Sequence, residues 1–380
     1  MKIIQAETLV SKQRFELPAD YLVAWYSAEK IPARTYDFPL LRLTTDEGIV
    51  GYGPGGAPLD AFALHKLIGL DPFHTAEFWM GLMSGKDCVR STYSGIDIAL
   101  WDIVGKATGH PIGHLLGTCR DRILAYAATS RLLTVKEHVQ QCRELVRMGF
   151  RAIKLRLHRG DYREDIEVVE AVREACGEDV ILLVDANQNN RSYAYPFWSY
   201  ETACKVMDAM ERLDVLCVEE PLDRRDYDGL ARLSGEFRTL IAGGEHCSCL
   251  DDFRIHIDRN TYDVFQPDMI LGDFGVTGIH RLGTITEYYK KRLMPHVCSL
   301  GSLPLSLAAV LQVCSAHANV PLIEYPFDPP FLTVETQQCI LKEPLLIDSE
   351  GYLPIPQGPG LGVTLNEELL KNYTAVQLAR

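Results

Sequence analysis

Hydrophobic and polar positions follow two different rhythms along this chain. Up to about residue 120 a period of two gives way to a period near 3.6. Leu40-Leu-Arg-Leu-Thr-Thr and Ile49-Val-Gly-Tyr flank Asp46-Glu-Gly48 and predict a hairpin. Residues 94–106 then carry Ile96, Leu100, Ile103 and Val104 at helical spacing. Strands and helices in separate runs predict a small α+β domain over residues 1–120.

From residue 121 short strands alternate strictly with amphipathic helices. The strands are expected at 123–128, 152–158, 180–187, 215–221, 239–246, 263–268, 292–297 and 321–326. Helices are expected between them, the clearest at 135–148, 164–176, 200–213 and 276–289. Eight strands, each followed by a helix until the last, predict an α/β barrel over 121–330. A doubly wound open sheet would compete, but the first strand is followed by no glycine-rich fingerprint. A proline-rich stretch, a hairpin-like segment at 345–356 and Gly358-Pro-Gly-Leu-Gly-Val close the chain. These elements would not extend the barrel, so residues 331–380 are expected to return to the first domain or wrap its base.

Composition narrows the partners. Of 380 residues 47% are hydrophobic, enough for a sizeable core, and 51 acids against 38 Lys and Arg give a net charge of -13. That balance disfavours nucleic acid, which needs a basic surface, but permits an anionic substrate at a local positive site. Eleven cysteines cannot all pair, and most sit in apolar runs as small hydrophobes. Cys247-x-Cys249 has no second pair at zinc-site spacing. No signal-like or bilayer-spanning run is evident, so the expectation is a reduced, cytoplasmic protein without a membrane partner.

The chemistry collects at the carboxyl ends of the expected strands. Lys154 and Arg156, Asp185 and Asn187, Glu219, Glu245, Asp268, His296 and Glu324 all fall there. From Lys154 through Asp185, Glu219, Glu245, Asp268 and His296 to Glu324 the steps are 31, 34, 26, 23, 28 and 28 residues. Each step is about one βα unit, so a closed barrel would gather these residues around one mouth, where barrel active sites lie. Salt-bridged strand ends could account for any one of them, but not for the rhythm.

Asp185, Glu219 and Glu245 would repel one another at low dielectric, and a hard divalent cation removes that cost. Three protein oxygens leave room for substrate and water in an octahedral Mg²⁺ shell, which makes these three the expected ligands. Glu220, next to Glu219, should point the other way by strand alternation, toward a salt bridge behind the rim or a supporting role. Lys154, Arg156 and His158 alternate along one expected strand and should share a face. An Asp beside a His fixes its tautomer and raises its basicity, so Asp268 and His296 form the expected general-base pair. Glu324, if protonated, would hydrogen-bond an anionic intermediate.

The motifs Ile153-Lys-Leu-Arg156, Val184-Asp-Ala-Asn-Gln188, Val218-Glu-Glu-Pro, Gly244-Glu, Gln266-Pro-Asp268, Pro295-His and Ile323-Glu, in this order, resemble the enolase superfamily. Within it they resemble the mandelate racemase and acid-sugar dehydratase branch. Ser94-Gly-Ile-Asp-Ile-Ala-Leu-Trp-Asp and the Gly358-Pro-Gly-Leu-Gly segment extend the likeness to nearly the whole chain. The resemblance implies an α+β cap, completed by the tail, over a modified (β/α)₇β barrel. It also implies a homo-oligomer, and one Mg²⁺ that binds a substrate carboxylate and stabilises the enediolate, chemistry known of that superfamily as a whole. Family roles fall on Asp185, Glu219 and Glu245 as ligands, and on His296 with Asp268 as the base on one face. Lys154 and its second neighbour belong to the opposite face, and Glu324 would stabilise the intermediate.

Three departures bear on the reaction. Arg156 stands where the racemase has a second lysine, and an arginine clamps carboxylates but is a poor base. One strong base suits β-elimination of water better than racemisation. Gly51-Tyr-Gly-Pro-Gly lacks the Glu that many relatives carry after the second glycine. Residues 17–27 take the place of the family's mobile specificity loop, with Tyr21, Trp25 and Tyr26 placed to pack on a sugar chain. Asn187, His158 and His246 complete the candidate substrate contacts.

The expected function is Mg²⁺-dependent dehydration of a sugar acid, an aldonate or aldarate, to its 2-keto-3-deoxy product. A racemase, epimerase or cycloisomerase using Lys154 opposite His296 is the alternative on the same scaffold. A non-catalytic sugar-acid binding protein is the alternative of another class.

Overall fold

The computed structural model describes residues 1–26, 30–83, 90–189, 197–298 and 301–376. The first region holds β1 (Ile3–Ser11), β2 (Phe15–Tyr21), β3 (Ala33–Tyr36), β4 (Leu40–Thr45) and β5 (Val50–Pro54). Helices α1 (Ala61–Leu67), α2 (Thr75–Met83), α3 (Arg90–Thr108) and α4 (Ile112–Leu116) follow. The expected hairpin is β4–β5, in register from Leu40↔Pro54 to Thr44↔Val50. Its turn ends on Gly48 at φ +81°, a backbone conformation glycine adopts without penalty.

The second region alternates β6 (Arg122–Ala128), α5 (Val135–Arg147), β7 (Ala152–Arg156), α6 (Tyr162–Cys176), β8 (Ile181–Asp185) and α7 (Tyr200–Arg212). It continues through β9 (Val215–Glu219), α8 (Tyr227–Glu236), β10 (Leu240–Gly243), α9 (Leu250–Asp258), β11 (Val264–Phe265), α10 (Gly275–Tyr288), β12 (Arg292–Leu293), α11 (Leu303–Cys314) and β13 (Ile323–Pro326). The strands form one curled parallel sheet in the order β12-β11-β10-β9-β8-β7-β6-β13, so the eighth lies beside the first. Among the described residues no strand pairing joins β12 to β13. That seam is crossed instead by Val297 N–H donating to Glu324 Oε2 at 3.0 Å.

Several strands are shorter than their hydrophobic runs, and the reason is chemical. The sixth and seventh keep two residues each, because Pro267 and Pro295 have no N–H to continue a ladder. Beyond the prolines the chains meet once more, as an isolated bridge between Asp268 and His296. The seventh strand therefore stops short of His296, and the second stops at Arg156, leaving His158 outside it. The rest of the chain holds α12 (Val334–Gln338), β14 (Tyr352–Pro354), α13 (Glu367–Leu370) and β15 (Tyr373–Val376). Segment 345–356 is not a hairpin: only β14 is a strand, and it pairs antiparallel with the start of β6 (Tyr352↔Leu124), an edge the parallel neighbours leave open. β15 pairs with β1, from Thr8↔Val376 to Ser11↔Tyr373.

The first region packs on the barrel through α3. Gly51 and Gly53 of β5 face Ala99 and Gly95 of α3 so closely that a Cβ on Gly53 would lie 2.1 Å from the Gly95 carbonyl oxygen. On the barrel side, Asp97 accepts from Thr277 N (2.9 Å) and Thr277 Oγ1 (2.7 Å) at the start of α10. Ser94 Oγ donates to Gly272 O at 2.6 Å, and Trp101 Nε1 to Thr277 Oγ1 at 2.8 Å. The Ser94–Asp102 motif thus grips the loop that descends from Asp268. Every residue of α11 is buried, as expected of a helix that is apolar all round. Among the described residues no helix is long and apolar enough to cross a membrane.

The packing and the buried histidines can each be tested through stability. Gly95→Ala would place a Cβ 2.1 Å from Pro54 O; it should lower unfolding free energy by about 3 kcal/mol in urea titrations. Gly235→Ala, in open space on α8, should raise it by about 0.5 kcal/mol. Buried His138 accepts from Leu133 N at 3.1 Å, and buried His256 pairs with Thr261 Oγ1 at 2.7 Å. Burial lowers both side chains to about 4. The unfolded chain takes up protons from about pH 6.5 while the native state refuses them until about pH 4, so each contribution falls with pH across that window. The stability advantage over His138→Gln should therefore shrink by about 3 kcal/mol between pH 7 and pH 4. A constant difference would show that folding does not shift the His138 pKa.

Candidate active site

The barrel brings the rhythmic residues together. Lys154 and Arg156 lie on β7, and Asp185 and Glu219 end β8 and β9. Glu245 follows β10, Asp268 and His296 lie beyond the two prolines, and Glu324 lies on β13. Except for the part-exposed His296 ring, their side chains are buried. Above them opens a cavity of about 380 Å³, whose wall includes Arg156, Asn187, Glu245, His246, His296 and Glu324. Trp25 and Tyr26 line it from the first region; Ser130, just past β6, and Leu332, past β13, also line it, although sequence pattern gives neither a role. Tyr21 and His158 are buried and are not part of this wall. Ser27, the last residue of the expected loop, lies outside the described residues.

Oxygens of Asp185, Glu219 and Glu245 lie within 4.8 Å of one another. At that range, with an effective dielectric near 20, each ionised pair repels by about 3–4 kcal/mol. Two cations offset part of this. Lys154 Nζ lies 2.8 Å from Glu219 Oε2, 2.7 Å from Glu324 Oε1 and 3.9 Å from Asp185 Oδ2. Arg156 pairs with Asp185, and its Nε donates to Thr129 O at 2.8 Å. Burial works against charge on Lys154, but Glu219 and Glu324 outweigh it and hold its pKa well above the ordinary range. Burial, reinforced by Asp185, pushes Glu219 up to about 7. Glu245 moves the other way, because His296 and His246 outweigh its burial.

Glu219 Oε2 also accepts from Gln266 Nε2 at 2.9 Å, whereas Oε1 is buried with no hydrogen-bond partner among the described residues. Sequence pattern gives Gln266, in the Gln266-Pro-Asp268 motif, no role; in the fold its side chain reaches Glu219. A buried, unpartnered carboxylate oxygen beside two more carboxylates is a donor set suited to a hard divalent cation, so the residues present fit Mg²⁺.

His296 Nδ1 lies 2.6 Å from Asp268 Oδ2, and Asp268 Oδ1 accepts from Ile270 N (2.7 Å) and Leu271 N (2.8 Å). Asp268 is thereby fixed, and it fixes the ring with Nε2 turned toward Glu245, 3.3 Å from its Oε2. Burial opposes charge on His296, yet Glu245, Glu324 and Asp268 raise it to about 10. The condition attached to Glu324, a proton on its carboxylate, is opposed by its surroundings: burial raises its pKa, but Lys154 and His296 outweigh burial and lower it.

Glu220 corrects the alternation argument. Its φ of +48° breaks strand geometry just past β9 and turns the side chain inward, within 4.8 Å of Glu245 and His246 ligand atoms. Asn189 Nδ2 holds Glu220 Oε1 at 2.5 Å. Glu220, Glu245 and His246 are therefore a second arrangement able to hold a metal ion, though with one nitrogen where the first set offers only oxygens.

A parallel eight-strand barrel with an acid-lined, cation-ready mouth defines a class of enzyme, and comparison with known proteins identifies the family. Residues 137–369 match the enolase C-terminal domain-like family, and residues 31–117 match the mandelate racemase / muconate lactonizing enzyme N-terminal domain. The chain belongs to the enolase superfamily. It is 29% identical to D-galactarolactone cycloisomerase of Agrobacterium fabrum, over 98% of this chain and 99% of that protein. It is 32% identical to arabinonate dehydratase of Saccharolobus solfataricus, over 74% of this chain and 71% of that protein. The fold matches that of L-talarate dehydratase from Polaromonas, solved with Mg and L-glucarate, at a TM-score of 0.80 and 24% identity, covering all of both chains.

The two candidate ligand sets make different predictions for Mg²⁺ affinity measured by calorimetry. Asp185→Asn should weaken binding by at least about 100-fold, and Glu220→Gln by no more than about tenfold. The reverse ranking would assign the ion to Glu220, Glu245 and His246.

Proposed function

We propose that this chain is a Mg²⁺-dependent dehydratase of a sugar acid, an aldonate or aldarate, yielding a 2-keto-3-deoxy acid. In this reading residues 121–330 carry the chemistry, residues 1–120 cap it, and residues 331–380 return to the cap. The observation that carries the reading is the asymmetry of the cavity. His296 lines it, oriented by Asp268. Lys154 is held beneath the wall by Glu219 and Glu324, and Arg156 remains protonated against Asp185. One face of a bound substrate thus meets a base, and the other meets a guanidinium.

Engagement of Glu245 as a metal ligand would withdraw the main charge that keeps His296 protonated, freeing Nε2 to take the proton α to the substrate carboxylate. Mg²⁺, when held by Asp185, Glu219 and Glu245, supplies a Lewis acid that draws charge from that carboxylate and acidifies the α-proton. Arg156 adds a fixed positive charge on the same side. The protonated His296 then gives its proton to the β-hydroxyl, which leaves as water, and the enol that remains tautomerises to the 2-keto product. Glu324 positions the wall through its bonds to Lys154 and Val297 N–H. One of the relatives described above is an arabinonate dehydratase, which supports this substrate class.

A second reading has its own support: the relative matched over 98% of this chain is a cycloisomerase. There Lys154 would act opposite His296 without loss of water.

Purified protein with Mg²⁺ should convert at least one member of an aldonic and aldaric acid panel to a 2-keto acid. Deuterium incorporation at the α-carbon without water loss would favour the second reading, and neither product nor exchange would overturn both. His296→Asn should lower kcat by about 10³-fold while circular dichroism and Mg²⁺ binding are kept; substantial turnover by this variant would remove His296 as the base.

A further inference from the structure

Asp328 plays no part in the chemistry above, yet it is fully buried just beyond β13, four residues past Glu324. Its Oδ2 accepts from Ser130 N (3.1 Å) and Ser130 Oγ (2.6 Å). Its Oδ1 accepts from Gln141 Nε2 at 2.6 Å, and Arg131 grips the carboxylate through Nε (3.0 Å) and Nη2 (2.6 Å). Ser130 has one hydroxyl proton. With that proton given to Asp328, Ser130 Oγ accepts, and the Tyr21 hydroxyl donates to it. Ser130 O accepts from Ala24 N at 2.7 Å.

The same contacts continue through the rings. Tyr21 stacks on Phe331 at 4.8 Å between centroids, and the Arg131 guanidinium lies 5.1 Å from the Phe331 centroid. Immediately beyond Tyr21 and Ala24 comes Trp25, whose ring lies 5.1 Å from the Arg156 guanidinium and forms part of the cavity wall with Tyr26. A single carboxylate on the barrel therefore fastens the segment that carries the two aromatic wall residues.

We propose that Asp328, acting through Ser130 and Tyr21, is a positioning residue that seats Trp25 and Tyr26 over the cavity and so governs substrate affinity. It does not touch the reacting atoms. Docking takes the Tyr21 hydroxyl out of water, and the bond to Ser130 offsets that loss, so without this bond the docked state is weakened. Loss of that bond should raise KM and leave the bond-breaking step alone. The substrate part of this proposal rests on the dehydratase reading, whereas the docking part does not.

Tyr21→Phe keeps the ring stack and removes only the hydroxyl. Amide hydrogen exchange at Ala24 should rise about tenfold in this variant, with exchange in α5 and β6 unchanged. On a substrate from the acid panel, KM should rise about tenfold with kcat altered less than twofold. Asp328→Asn should show the same pattern, and the double variant should be no worse than the more severe single one. Unchanged exchange at Ala24 in Tyr21→Phe, a uniform rise that includes α5 and β6, or a fall in kcat at constant KM would each overturn the proposal. The exchange experiment needs no substrate, so its outcome is separate from that of the dehydratase assignment.

Discussion

Everything at the barrel mouth answers to the crowding of acidic groups there. Asp185, Glu219, Glu220, Glu245, Asp268 and Glu324 are all buried in one neighbourhood. Such a set cannot be ionised together without positive charge among it. Lys154 spans Glu219 and Glu324, Arg156 takes Asp185, and His296 sits between Asp268 and Glu245. The pKa directions record which effect wins at each acid: cations lower Glu245 and Glu324, whereas burial raises Glu220 and outweighs Arg156 at Asp185 and Lys154 at Glu219. The protein's cations leave the set short of balance, and a divalent ion is the economical remedy.

Placing these groups takes breaks in regular structure. Asn187 and Glu220 adopt φ of +46° and +48°, and Gly244 +116°, each just past a barrel strand. For the two non-glycine residues this costs on the order of 1 kcal/mol apiece, a local loss that surrounding bonds such as Glu220 N to Ala242 O (3.0 Å) offset. Pro267 and Pro295 end their ladders early and release Asp268 and His296 to meet across the mouth. The α3 helix supports this arrangement from outside by gripping the loop below Asp268. Catalytic geometry and domain packing therefore share one short stretch of chain.

Much of this was legible in the sequence because the barrel imposes a spacing. A polar residue every 23 to 34 positions, each closing an apolar run, carries both the strand count and the gathering of the residues at one mouth. What escaped were features that depend on single backbone angles and on partners far along the chain. Alternation sent Glu220 outward because period two holds only inside a strand, and Glu220 lies one residue beyond one. The charge state of Glu324 is left open by the spacing, because nothing in it shows that Lys154, 170 residues earlier, reaches it at 2.7 Å. Tyr21 was grouped with Trp25 and Tyr26 as an aromatic cluster, although its hydroxyl faces Ser130 while the other two rings face the cavity.

Arg156 is the residue whose type of cation bears most on the proposed reaction. A lysine there could surrender its proton when desolvated, whereas a guanidinium retains its charge in any protein environment. Here that charge is fixed from three sides: Asp185 and Thr129 O in the plane, and the Trp25 ring 5.1 Å away. The ring is in place only because the segment carrying it is docked, so the electrostatics of the far face of the cavity depend on the seating of the first region. Substrate that brings its own carboxylate meets an already oriented guanidinium, and the ordering cost has been met in folding instead of in binding. A two-sided exchange of protons is thereby disfavoured, and this is the physical ground on which the proposed one-sided elimination rests.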